Sequence, residues 1–134
     1  MITGKNIIGY SASADGSAQY QVAEAATDKT LAGEFIEATA EEVERAMSLA
    51  ESAAIAYSKV SGNDKAAFLR AIGENIVALD QELVERAMGE AGLPEGRIKG
   101  ERGRAVGQLN MFATLLEEGS WVDARIDTAI PDRT

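Results

Sequence analysis

The chain has 134 residues, with 22 acidic and 13 basic side chains, no histidine, no cysteine and a formal net charge of −9. The missing residue types exclude disulfides, thiol nucleophiles, Ser-His-Asp triads and Cys/His zinc sites within this chain. The acidic balance disfavours nucleic acid and anionic membrane surfaces, and no apolar run reaches the roughly 18 residues of a membrane span. The start, Met-Ile-Thr-Gly-Lys-Asn, lacks the regions of a signal peptide, so a cytoplasmic location is expected, with neither nucleic acid nor membrane as partner. The length suits one domain, and an apolar fraction of 46% suits a globular one.

Residues 1–38 read as short strands and turns. Asn6-Ile-Ile-Gly-Tyr10 and Gln19-Tyr-Gln-Val-Ala23 are strand candidates, and the Asp15-Gly16 pair between them predicts a hairpin that joins the two. Gly33-Glu-Phe-Ile-Glu37 is a third short strand candidate. A sheet this small needs something to lie against.

Thr39 with Glu42 three residues on forms a capping box and predicts a helix over 40–58, apolar at Val43, Ala46, Met47, Ala50, Ala54 and Tyr57. Ser61 with Asp64 starts a second helix, expected to run unbroken to about Glu90 along Phe68, Leu69, Ile72, Ile76, Leu79, Leu83 and Ala87. Gly73 in its middle predicts a close crossing. Gly92 ends this helix and Pro94 opens the third, expected over 94–118.

The third helix is apolar along Ile98, Ala105, Leu109, Phe112 and Leu116, with Met111 and Leu115 widening that face. Gly96, Gly100, Gly103 and Gly107 recur at steps of four, three and four, so they share another face. Each glycine costs a helix interior about 1 kcal/mol relative to alanine, which points to close packing or to a ligand channel on that side. Gly119-Ser-Trp121 then breaks the helix. Val122, Ala124, Ile126, Thr128 and Ile130 alternate with Asp123, Arg125 and Asp127, the two-residue period of a half-buried strand with no return strand after it. The expected architecture is mainly α, three antiparallel helices with a small N-terminal β-hairpin and a C-terminal strand, and the chain reads as cut off.

Several of these stretches together carry a family resemblance. Gly4-Lys-Asn-Ile-Ile-Gly9, Ala26-Thr-Asp-Lys-Thr30 and Ala38-Thr-Ala-Glu-Glu-Val43 resemble generic pieces of the aldehyde dehydrogenases. Gly92-Leu-Pro94, Gly100-Glu-Arg-Gly-Arg104, Gly107-Gln-Leu109 and Gly119-Ser-Trp-Val-Asp-Ala-Arg-Ile-Asp-Thr128 resemble the branch that oxidises 2-oxoglutarate semialdehyde (2,5-dioxopentanoate). The whole chain is thus similar to the N-terminal part of an enzyme with the α/β aldehyde dehydrogenase fold.

That resemblance implies a parent enzyme that oxidises a small-molecule aldehyde to its carboxylate with NAD or NADP, through a cysteine nucleophile, a glutamate base and an asparagine in the oxyanion hole. It places all of these, and the dinucleotide-binding residues, outside this chain, so no catalytic, cofactor-binding or metal residue is expected here and no cofactor is expected to bind. It divides the chain into strands and turns (1–38), a three-helix part of the cofactor-binding domain (39–118), and the start of an oligomerisation strand (119–134) that makes a homo-oligomer through residues 121–130. The later half of the third helix lines the family's substrate tunnel, which carries over to Arg104, Gln108, Asn110 and Met111. A guanidinium beside polar amides would suit a substrate ending in a carboxylate.

Two readings from other classes stand beside this one. A free-standing acidic helical module would bind a protein partner through the glycine face. A small carboxylate enzyme would use Glu41/Glu42 or Glu117/Glu118, yet adjacent helical residues point about 100° apart.

Overall fold

A computed structural model describes residues 3–123 of the chain. Its elements in order are strands β1 (Asn6–Ile8), β2 (Ser11–Ser13), β3 (Gln19–Ala23) and β4 (Thr30–Ile36), then helices α1 (Ala40–Tyr57), α2 (Gly62–Ala78), α3 (Asp80–Ala91) and α4 (Glu95–Glu118), and a 3-10 turn, Ser120–Val122. The mainly helical expectation holds, and α1 and α4 fall within a residue of their expected bounds. Three other expectations are corrected.

The first correction concerns the hairpin. Asn6–Ile8 pairs with Ser11–Ser13, Ile7 facing Ala12, and not with the strand at 19–23. The two-residue connection carries Gly9 at its first position with φ of 62°, a value that such tight turns reserve for glycine. The strand at 19–23 pairs instead with β4, Tyr20 facing Phe35, their rings stacked at 5.4 Å. The Asp15-Gly16 pair is thus no hairpin turn. Gly16 sits where an added Cβ would lie 1.9 Å from the Glu37 carbonyl oxygen, so its role is to let two backbones approach. The two small sheets are tied where the Ile36 N–H donates to the Gly4 carbonyl at 3.0 Å.

The second correction is the helix count, four in place of three. The stripe expected to run unbroken to Glu90 is divided at Asp80, which adopts φ of 40°. Arg102 on α4 braces the break: its Nη1 donates to the Asp80 carbonyl at 3.1 Å and lies 3.8 Å from the Asp80 carboxylate. Asp80 and Glu82 then fill the first turn of α3, where carboxylates favour the positive end of the dipole. Gly92 closes α3 at φ of 65°, its N–H donating to Met88.

The third correction lies at the end of α4. Gly119 caps it, and Glu118 accepts from both the Ser120 N–H (3.0 Å) and its hydroxyl (2.6 Å). That capture winds Ser120–Val122 into a 3-10 turn ending at Asp123 with φ of 47°, so Trp121 and Val122 do not begin a strand. The rest of the expected strand, 124–130, lies outside the described residues.

Packing centres on α2 against α4, which run antiparallel: Arg70 meets Thr114 and Glu117, whereas Gly73 faces Val106 and Leu109. An added Cβ at Gly73 would touch Val106 at 3.4 Å, so the expected close crossing is present. Ala66, Val84 and Ala113 are fully buried with it, while Ile98, Leu109 and Leu116 are partly covered. Phe112 and Ala105, expected on the buried face of α4, are exposed. Helix α3 backs onto β3–β4, where Arg86 donates to the Ala32 carbonyl and lies 5.6 Å from the Phe35 ring centre. Helix α1 packs on β1, leaving Val43, Met47 and Ile55 exposed.

Replacing Gly16 with alanine forces Glu37 and its strand to shift. The expected loss is about 1–3 kcal/mol, read as a lower urea midpoint with an unchanged slope.

Candidate functional site

Four residues of α4 were marked by sequence, and the helix separates them. At about 100° per residue, Arg104, Gln108 and Met111 share one exposed face, while Asn110 lies about 120° away beside α2. The first three point away from the α2 contact. Met111 is 56% exposed and Leu115 and Phe112 continue its apolar surface. Arg104 forms no ion pair among the described residues, because Glu101 on the same face is held by Arg97 at 2.7 Å. A cation with no fixed counter-charge, next to an amide and a thioether, is chemically suited to an organic anion with a short apolar stem.

Asn110 lines a separate open groove of about 650 Å³ between α2 and α4, together with Arg70, Gly73, Glu74, Val77 and Val106. Neither Arg70 nor Glu74 was marked as a site residue from sequence. The one available signal was Gly73, whose missing side chain opens the groove floor. Arg70 is not available for a ligand here. Its guanidinium makes two hydrogen bonds to Glu117, at 2.6 and 3.3 Å, and a third to Thr114 at 3.4 Å. The Glu117 hydrogen bond holds Arg70 even more firmly in its charged form.

The glycine stripe faces neither groove. A Cβ added at Gly96, Gly100, Gly103 or Gly107 would meet nothing within 4 Å. The close helix crossing expected of that stripe is made instead by Gly73 and Ala113, and among the described residues the stripe has no neighbour.

Paired carboxylates do not converge. Glu117 engages Arg70, Glu118 engages Ser120, and Glu42 is buried while Glu41 is exposed. The Ser120 hydroxyl and then its N–H lower the Glu118 pKa, so this carboxylate is a turn cap and not a base. Among the described residues, no three carboxylates come close enough to hold a metal ion.

The described residues form short antiparallel strands followed by four helices with open apolar faces. Residues 11–129 match the family model described as aldehyde dehydrogenase family, and the chain belongs to that family. It is 42% identical over 134 residues to alpha-ketoglutaric semialdehyde dehydrogenase 2 of Azospirillum brasilense, covering 99% of this chain and 26% of that protein. It is 43% identical over 99 residues to alpha-ketoglutaric semialdehyde dehydrogenase of Acinetobacter baylyi, covering 74% of this chain and 19% of the relative. The chain therefore spans about a quarter or less of the length of these relatives. The fold is similar to that in the crystal structure of a NAD-dependent benzaldehyde dehydrogenase from Corynebacterium glutamicum, with a TM-score of 0.80 and 18% identity over 96% of this chain and 28% of that one.

Replacing Arg70 with methionine keeps an apolar stem on the groove and removes the exposed ion pair to Glu117 and the long hydrogen bond to Thr114. The expected loss of stability is small and shrinks further in roughly 1 M salt, as thermal unfolding at two ionic strengths would register.

Proposed function

We propose that this chain is the N-terminal scaffold portion of an NAD- or NADP-dependent aldehyde dehydrogenase. The parent enzyme oxidises a semialdehyde such as 2,5-dioxopentanoate to its carboxylate, 2-oxoglutarate. The observation that carries this reading is 42% identity along 99% of the chain to an alpha-ketoglutaric semialdehyde dehydrogenase. In this role residues 39–118 belong to the cofactor-binding domain, residues 119–134 lead into the strand through which the enzyme oligomerises, and the enzyme works in the cytoplasm.

The cofactor, when bound to the parent, accepts hydride from the substrate. This chain has no cysteine to act as nucleophile, so alone it turns over no aldehyde, and the resemblance places the dinucleotide-binding residues in later parts of the family's chain. Its contribution is shape and charge. Arg104, with Gln108 and Met111 beside it, faces the distal carboxylate of the semialdehyde in the tunnel wall, and Asn110 flanks the same helix nearer α2. The exposed apolar surface of Met47, Ile55, Phe68 and Phe112 suits a piece that packs onto more protein.

The same open surface also favours a second reading, an acidic helical module that binds another protein. Intact mass of the native protein in its source cell separates the two. A species several times heavier than 14.2 kDa supports the dehydrogenase reading, and one at 14.2 kDa supports the module. For the isolated chain, calorimetry with NAD and NADP is expected to give no heat of binding, and turnover of 2,5-dioxopentanoate by it would refute the scaffold role.

In the parent enzyme, Arg104→Met is expected to raise KM for the semialdehyde about tenfold while leaving an uncharged aldehyde of equal length unaffected. Equal effects on both substrates would remove Arg104 from carboxylate recognition.

A further inference from the structure

The buried carboxylate of Glu42 does more than a capping box requires. One oxygen, Oε2, accepts from the Thr39 N–H at 2.9 Å and the Thr39 hydroxyl accepts from the Glu42 N–H at 3.1 Å, which completes the cap of α1. The other oxygen reaches back 29 residues: Oε1 accepts a short hydrogen bond from the Ser13 hydroxyl, at the end of β2, and another from the Asp15 N–H at 3.4 Å. One turn along α1, Arg45 donates to the Ser13 oxygen at 2.8 Å and pairs with Asp15 at 3.7 Å. Because Ser13 Oγ already accepts from Arg45, its own proton is directed to Glu42, with Asp15 Oδ2 a poorer alternative at 3.4 Å.

The first hairpin is otherwise tied to β4, by the Ile36 N–H donating to the Gly4 carbonyl at 3.0 Å and by Asn6 Nδ2 donating to the Ile36 carbonyl at 3.4 Å, and its apolar contact with α1 is sparse. Ile8 is buried, but Ile7 is 83% exposed, and the groove between the hairpin and Leu49, Ala50 and Ala53 stands open. A polar tie, not an apolar interface, docks these strands.

We propose that Glu42 is a positioning residue whose carboxylate interlocks two elements, so that the β1–β2 hairpin is docked on α1 only while the first turn of α1 is capped. Three donors converge on two acceptor oxygens, a pattern that the ionised carboxylate satisfies best. Protonation would place a donor among donors and release both contacts together. Ser13 above all, then the Thr39 and Asp15 N–H groups and the Arg45 charge, lower the Glu42 pKa against the opposing effect of burial. The stabilisation is therefore complete above the ordinary carboxylate range and is lost as pH falls through the depressed folded-state value. The charged groups facing Glu42 are Arg45 on α1 and Asp15 in the loop after β2.

Amide hydrogen exchange on the 134-residue chain tests the interlock, with α2 and α4 amides as internal reference. At neutral pH, Glu42→Gln is expected to speed exchange in β1–β2 and in the first turn of α1 about tenfold or more, with the reference unchanged. The unmodified chain should reach the same state only in acid, both elements loosening at one pH. Should Glu42→Gln fail to fold, Ser13→Ala carries the test, since it is expected to loosen the hairpin while Glu42 still caps α1. Hairpin exchange within about twofold of the unmodified chain in the folded variant, or separate midpoints for hairpin and helix start, would overturn the proposal.

Discussion

The close approach of α2 and α4 is the constraint on which the rest of the described structure depends. Small residues make it possible: Ala66 and Gly73 on one helix and Ala113 on the other are all buried, so the backbones come together without large side chains between them. Dispersion and area burial are then collected by the neighbours, Leu69, Ile72, Val106 and Leu109, each only partly covered. The antiparallel run that results brings Arg102 under the end of α2. There it stabilises the break at Asp80, and that break in turn lays α3 across the second hairpin. A local choice of glycine thus propagates to the placement of a sheet.

The N-terminal strands are organised on a different principle. Their apolar contacts are sparse, and backbone and carboxylate hydrogen bonds do most of the positioning: Gly4 to Ile36, Ala18 to Glu37, Ala25 to Gly89, and the Glu42 cluster. Such bonds are directional and individually modest, worth about 1 kcal/mol net when both partners are neutral. They hold geometry well but supply little cohesion. A layer built this way, beside helices with exposed Met47, Ile55, Phe68 and Phe112, is consistent with membership of a family whose relatives are about four times as long.

The candidate site follows from helix phase. Four residues within eight positions of one another look like a cluster in sequence, yet one helix directs Arg104, Gln108 and Met111 to one side and Asn110 to another. The pair formed by Arg70 and Glu117, 47 residues apart, shows the converse: partners that sequence separation hides are joined by the crossing.

Much of this was legible without coordinates. The caps at Thr39, Ser61, Gly92 and Gly119 placed the helix ends, because capping is decided by a few adjacent residues. Apolar periodicity located the helices, and the motifs from Gly92 to Thr128 carried the family. Three things were not legible. The stripe through Leu79 keeps its period across Asp80, so the break could not be seen; the Arg102 contact that braces it comes from a later helix. The partner of β1 was misjudged, since Gly9-Tyr10 read as the end of a strand and Asp15-Gly16 as the hairpin turn, whereas the chain reverses at Gly9-Tyr10 and Gly16 lies against Glu37. The glycine face of α4 looked like the site of close packing, but Gly73 and Ala113 made the crossing instead. Local chemistry is written in the order of residues, whereas which donor meets which acceptor across 20 to 50 positions is set only when the backbones come together.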